Sequence, residues 1–274
     1  MRVSVAETES ERAFEQYLDG QKVKWERLPE TGRPQPDYAV RHAGARCAFE
    51  VKEFDDPKGE RAQQLKRVGG GFDPCPPVRE KIHQGRKKLG AYTNHACGVV
   101  LWSSKSIFRP LYPEVVMASA FGQHFRTEPH MIGDLGAEPP RYAFSGPAEL
   151  RADTNTTVSA IVILTRYQLD LVLLEGWRRL SAKTLRGEAA QPGDQWTLTQ
   201  QAADELVGPR YLYQGTLRTI VIENPYARMP FPPGLFVGPF DQRWRMSDSG
   251  FFGLAFMGSE LERLKHEGVP FIYL

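Results

Sequence analysis

Asp37, Glu50 and Lys52 are the residues of this 274-residue chain whose types and spacing can do chemistry together. Glu50 and Lys52 stand two apart in Cys47-Ala48-Phe49-Glu50-Val51-Lys52. Side chains alternate faces along a strand, so these two point the same way and Phe49 and Val51 point the other. Asp37 belongs to the preceding extended run, Pro36-Asp37-Tyr38-Ala39-Val40, and can sit across from them. Two carboxylates a few ångströms apart repel, and a hard divalent cation is the usual relief. A lysine beside them can steady a water or the charge of a phosphate.

The elements that must position these groups are readable on either side. The two runs flank His42-Ala43-Gly44-Ala45, the pattern of an antiparallel hairpin with a glycine-containing loop. Upstream, Thr8-Glu9-Ser10-Glu11 is a capping box, with Ser10 a competing cap. Phe14, Tyr17 and Leu18 at helical spacing, then Gly20, predict a helix over 9–19. Glu11 lies on the side of Phe14 and Leu18, so its carboxylate borders the buried face, and Glu15 does the same one turn later. The competing role of Glu11 is that of a first-turn acid that favours the helix dipole. Val23 and Trp25 alternate with charged residues and predict a strand over 22–27, and the Pro- and Gly-rich stretch 29–36 reads as a loop. Residues 54–77, with Gly69 to Gly71 and Pro74, Pro76 and Pro77, read as an exposed loop with a helical turn over 61–68. Val78, Ile82, Leu89 and Tyr92 predict a helix ending near Asn94, and 98–102 reads as a buried strand.

Composition sets bounds. Hydrophobic residues make up 41% and charged residues 25%, which calls for an ordinary globular core. The formal net charge of +2 points neither toward nor away from nucleic acid. Cys47, Cys75 and Cys97 form no CxxC pair and fit buried thiols in a reducing compartment. The N-terminal stretch has no apolar core of signal-peptide length, and no apolar run approaches the roughly 20 residues that span a bilayer. The expectation is a soluble, cytoplasmic protein without a membrane partner. From Lys58 to Lys88 there are nine Lys or Arg against three Asp or Glu. Such a run is commonly a solvated helix face, but beside the acid pair it also suits phosphate binding. Zinc is disfavoured, because no Cys/His set has ligand spacing.

The order helix, strand, strand, strand, helix, strand, with Pro36-Asp37 on the second strand and Glu50-Val51-Lys52 on the third, resembles the PD-(D/E)XK nuclease superfamily. The resemblance covers about residues 8–103. It implies an α/β fold with a restriction-endonuclease-like core, αβββαβ, whose central mixed sheet is flanked by helices, followed by a C-terminal α+β elaboration. It also implies that Asp37 and Glu50 bind Mg²⁺, or Mn²⁺ in its place, with the Val51 backbone carbonyl as a further ligand. Lys52 would orient the attacking water, and Glu11 would complete the metal site. Many members place a Gln or a basic residue on the helix after the third strand. Gln84 is the first candidate for that role, with Lys81 and Lys88 as others. Lys81, Gln84, Arg86, Lys87 and Lys88 together form the expected nucleic-acid-binding face. The implied activity is Mg²⁺-dependent hydrolysis of DNA, with RNA as the other substrate. The implied assembly is a homodimer or a partner chain in a defence or repair system. A binding or scaffold protein that keeps the fold without the catalysis is the alternative.

The remainder, 111–274, reads as a sheet extension with further elements packed on the 1–110 core as one domain. A helix is expected over 113–121, a long loop over 122–157, a buried strand over 158–165 and another over 169–174. Residues 178–194 read as polar and irregular. A helix over 199–206, a strand over 219–223, a helix capped by Ser259 and a short last strand over 271–274 follow. Residues 224–244 are dense in Pro and aromatics without a period. They read as an extended arm packed on the domain or on a second subunit, with base stacking between Arg228, Arg243 and Arg245 as the other reading.

Overall fold

The fold rests on a computed structural model that describes residues 7–29, 31–54, 75–102, 111–122, 146–188, 191, 193–208, 211–248, 250 and 252–266. The expected helical turn over 61–68, the glycine run, most of the loop over 122–157 and the last strand lie outside the described residues.

Eight strands pair in chain order in a single mixed sheet. Helix α1 (Glu9–Gly20) opens the chain, and Thr8 and Glu11 close the capping box reciprocally at its N-terminus. Strands β1 (Lys24–Arg27), β2 (Tyr38–His42) and β3 (Ala45–Glu53) form an antiparallel meander. The β2–β3 turn is two residues long, with positive φ at both Ala43 (47°) and Gly44 (83°). That is the primed geometry whose twist suits a tight hairpin. Helix α2 (Cys75–Leu89) then crosses to β4 (Ala96–Trp102), which lies parallel to β3. Pro76 and Pro77, expected in the loop, lie in the first turn of α2, where the N–H groups they lack would have no helical acceptor. The helix also stops at Leu89, short of the expected Asn94.

β4 is buried along its whole length, as a strand with parallel neighbours on both sides should be. Helix α3 (Pro113–Phe121) leads to β5 (Val158–Asp170), parallel to β4. The apolar run after Asp170 turns helical at once. It forms α4 (Leu171–Leu185), which packs on α5 (Asp194–Glu205), where a strand and an irregular stretch were expected. Short apolar runs are ambiguous between strand and helix, and here the helix wins. β6 (Tyr211–Glu223) returns antiparallel to β5. β7 (Gln242–Met246), β8 (Phe252–Met257) and α6 (Ser259–His266) complete the fold.

Alternation along the strands supplies two cores. One face of the sheet buries Phe14, Tyr17 and Leu18 of α1 with Tyr38, Phe49, Val51, Val100, Val162 and Val221. The other buries Val78 and Ile82 of α2 and Val116 of α3 with Ala48, Val99, Leu101, Ile161 and Ile220. Residues 224–241 make the crossover between the parallel strands β6 and β7 without a helix. They cover the α1 face with Phe231, Leu235 and Phe236, as an arm packed on the domain. A proline-rich crossover lacks a ladder for its carbonyls, and the buried Arg243 guanidinium supplies donors to Pro232 O (3.1 Å) and Leu235 O. Asp241, 1% exposed, holds this arm to the sheet and to α1. Its carboxylate accepts from Tyr17 Oη at 2.6 Å, Thr219 N at 2.7 Å and Gly238 N at 2.6 Å.

Asp241→Ala strands those buried donors and should lower unfolding stability by about 3–5 kcal/mol. Urea denaturation checks this, and a cost below about 1 kcal/mol would mean the donors find other acceptors.

Candidate functional site

The hairpin brings Asp37, Glu50 and Lys52 together. Asp37 precedes β2 by one residue, and its backbone N–H donates to Phe49 O at 3.0 Å. It lies one residue beyond the paired register, which ends at Tyr38–Phe49. Its carboxylate caps the edge of β3 by accepting from Val51 N at 2.8 Å. In a strand the N–H and C=O of one residue leave on the same edge, so the Val51 carbonyl shares the edge that Asp37 occupies.

Glu50 is 0% exposed, in the middle of β3 on the face that α2 covers. Its Oε1 receives two ammonium groups, Lys52 Nζ at 2.6 Å and Lys88 Nζ at 2.7 Å. Lys88 also reaches Asp37 Oδ1 at 3.3 Å, so one positive charge bridges both acids. Glu50 Oε2 is buried and has no hydrogen-bond partner among the described residues. Burial, then the charge of Asp37, pushes the Glu50 carboxyl up to about 7 against the opposing pull of the two lysines. Lys88 is held above its ordinary value: burial works the other way, but the contacts to Glu50 and Asp37 outweigh it.

Lys88 reaches this position because α2 lies close on β4. A Cβ at Gly85 would meet Val99 Cγ1 at 2.7 Å, so glycine lets the helix approach. Of the candidates on this helix, Gln84, Lys81 and Lys88, it is Lys88 that reaches the two acids. Gln84 is exposed and donates to Glu80 Oε1 at 2.9 Å on its own helix. Arg86 is committed to structure: it donates to Glu149 at 3.0 Å and to Asn155 at 2.8 Å. Lys81 stands over the Phe54 ring at 5.9 Å. Lys87 is exposed to solvent.

Glu11 is placed elsewhere. Its Oε2 accepts from Thr8 N at 2.8 Å, and its Oε1 pairs with Arg27 at 2.7 Å. Glu15 accepts from Tyr38 Oη at 2.8 Å, and burial raises its pKa first of all causes. The helix acid at the N-terminus of α1 therefore serves the cap. Among the described residues no group of three or more His, Cys, Asp or Glu could hold a metal ion. The site as placed is two carboxylates, two ammonium groups and one orphaned oxygen. The three cysteines are buried thiols. No helix of the described residues is long and apolar enough to cross a membrane.

No protein-family model, no curated protein and no solved structure matches this chain.

Folding disfavours the ionised form of Glu50. Between the ordinary carboxylate value of 4.5 and about 7, the folded chain keeps a proton on Glu50 that the unfolded chain has released. This group's contribution to stability therefore falls as pH rises through that window and is flat above it. Glu50→Gln should remove that slope, so its stability relative to wild type rises from pH 4.5 to 7. Urea unfolding at a series of pH values measures it, and parallel profiles would contradict the burial of a titrating Glu50.

Proposed function

We propose that the chain is a divalent-metal-dependent nuclease that hydrolyses phosphodiester bonds of DNA. The observation that carries this reading is Glu50: a wholly buried carboxylate with one oxygen unpartnered among the described residues, bridged by Lys88 to a second carboxylate and held by two lysines. A buried oxygen without a donor is costly, and a hard cation satisfies it. The order α1–β1–β2–β3–α2–β4, with β1 to β3 antiparallel and β4 parallel to β3, supports the restriction-endonuclease-like core.

The donor set fits Mg²⁺ or Mn²⁺: Asp37 and Glu50 would hold the ion, with the Val51 carbonyl on the same edge. When bound, the ion supplies Lewis-acid stabilisation of phosphate charge and a more acidic water. The chain's own residues do the rest. Lys88 compensates the acid pair and presents an ammonium toward the substrate phosphate. Lys52, fixed by β3 on the same face as Glu50, orients the attacking water and steadies charge on the oxygens of the scissile group. Glu50 cannot hold its charge without a cation nearby, so the reaction depends on both the lysines and the ion.

A second reading has its own observation. Both ammonium groups already neutralise Glu50, and Glu11 is tied to Arg27, which suits a nucleic-acid-binding or scaffold protein that keeps the fold without catalysis.

Purified protein with Mg²⁺ and linear or plasmid DNA should show cleavage that Lys52→Ala lowers by about 10²–10⁴-fold and that Asp37→Ala abolishes. Equal residual cleavage by wild type and Lys52→Ala would sink the nuclease reading. Calorimetry separates the two readings: a Mg²⁺ heat that disappears in Asp37→Ala favours the first, and DNA binding without that heat favours the second.

A further inference from the structure

Register along the hairpin sets like residues opposite one another in rungs. On the face that carries Glu50, β2 runs Ala39, Arg41 after the preceding Asp37, and β3 runs Arg46, Ala48, Glu50. Ala39 pairs with Ala48, Arg41 with Arg46, and Lys24 of β1 with Arg41. The paired rungs are therefore alanine on alanine and a row of three cations, with the acids Asp37 and Glu50 beyond the alanines.

The cation row has no structural explanation. Like charges directly opposite on neighbouring strands destabilise a sheet. Lys24, Arg41 and Arg46 are all exposed, and none has a carboxylate in ion-pair reach among the described residues. The row borders a shallow depression of about 440 Å³ lined by Lys24, Arg41, His42, Arg46 and the turn at Ala43 to Ala45, with no acid in it. His95, already disfavoured as a cation by burial, is pushed further that way by the charge of Arg46. By contrast, two of the four cations foreseen on α2 are already engaged: Arg86 on Glu149, Lys88 on the acid pair.

We infer that Lys24, Arg41 and Arg46 form a cleat for the phosphate backbone of the nucleic acid whose scissile phosphate lies at Asp37 and Glu50. This rests on the nuclease reading above. Two rungs are four residues of strand, about 13 Å. That is the axial advance of about four phosphates on one strand of a duplex, at about 3.4 Å each. It also exceeds the Debye length of about 8–10 Å. The row therefore acts by touching the strand rather than by altering charge at Glu50. Between the acids and the arginines lies half-buried Ala39 on β2, whose rung partner Ala48 is buried in the α2 core, so the nucleic-acid strand would run on the β2 side of that rung.

The test is fluorescence anisotropy with labelled single-stranded and duplex oligonucleotides, the full chain, and EDTA to prevent cleavage. Arg41→Ala/Arg46→Ala should bind about tenfold more weakly or worse, with a log–log salt slope shallower by about two. Arg41→Lys/Arg46→Lys should keep the wild-type slope. Thermal unfolding of the alanine variant should match or exceed wild type, since a like-charge rung is gone, which separates weak binding from misfolding. Unchanged affinity and slope in the alanine variant would overturn the cleat. Mg²⁺-dependent cleavage with row-independent binding removes the cleat alone, whereas row-dependent binding without cleavage removes the nuclease reading alone.

Discussion

One carboxylate removed from water beneath two ammonium groups is the constraint around which the N-terminal half is arranged. Glu50 occupies the middle of a strand whose other face is core, so it cannot swing out to solvent without breaking β3. Its neighbours must come to it. Lys52 comes by strand periodicity, Asp37 by the hairpin register, and Lys88 by the close seating of α2 on Val99 that Gly85 permits. Three kinds of element thus converge on one buried oxygen pair. Among the described residues only one of those oxygens is satisfied, and a functional site is a common reason for such a group to persist.

The opposite face is closed by an unusual route. A parallel crossover ordinarily needs a helix to satisfy its own backbone. Here Pro232, Pro233 and their neighbours cannot build one, and the polar side chains of Arg243 and Asp241 satisfy the arm instead. Both are almost wholly buried, at 2% and 1% exposure, and both are tied to groups from other elements. Burial lowers the pKa of Arg243, opposed by the charge of Glu223, which pairs with it at 3.2 Å. The aromatic density of this segment is then packing density: Phe231 and Phe236 close on Phe49 at centroid distances of 6.2 and 5.4 Å.

Much of this was legible in the sequence where local pattern and tertiary role agree. The capped first helix, the hairpin, the buried β4 and the helix from Pro113 follow from caps, turn residues and apolar period. So does the convergence of Asp37, Glu50 and Lys52, because a strand pair has few registers. The failures have physical causes. Leu171 onward is apolar enough to be strand or helix, and only its packing on α5 decides. β7 and β8 carry too little alternation to stand out. Lys88 was one of several cations on α2, and its selection depends on a helix–sheet distance that no window of sequence encodes. Glu11 was drawn to the site by its side of the helix, whereas the cap and Arg27 hold it. The row of cations was readable in principle: once Ala43 and Gly44 form the turn, Arg41 must face Arg46.

The packing of Phe231, Leu235 and Phe236 against α1 and β3 has a consequence for how such a protein can evolve. The segment that bears the acids and lysines borrows part of its hydrophobic interior from residues more than a hundred positions downstream, and Asp241 bolts the two together. It is not a cassette that recombination could splice into another chain, and any ancestor that shuffled it would have had to carry the distant proline-rich arm along.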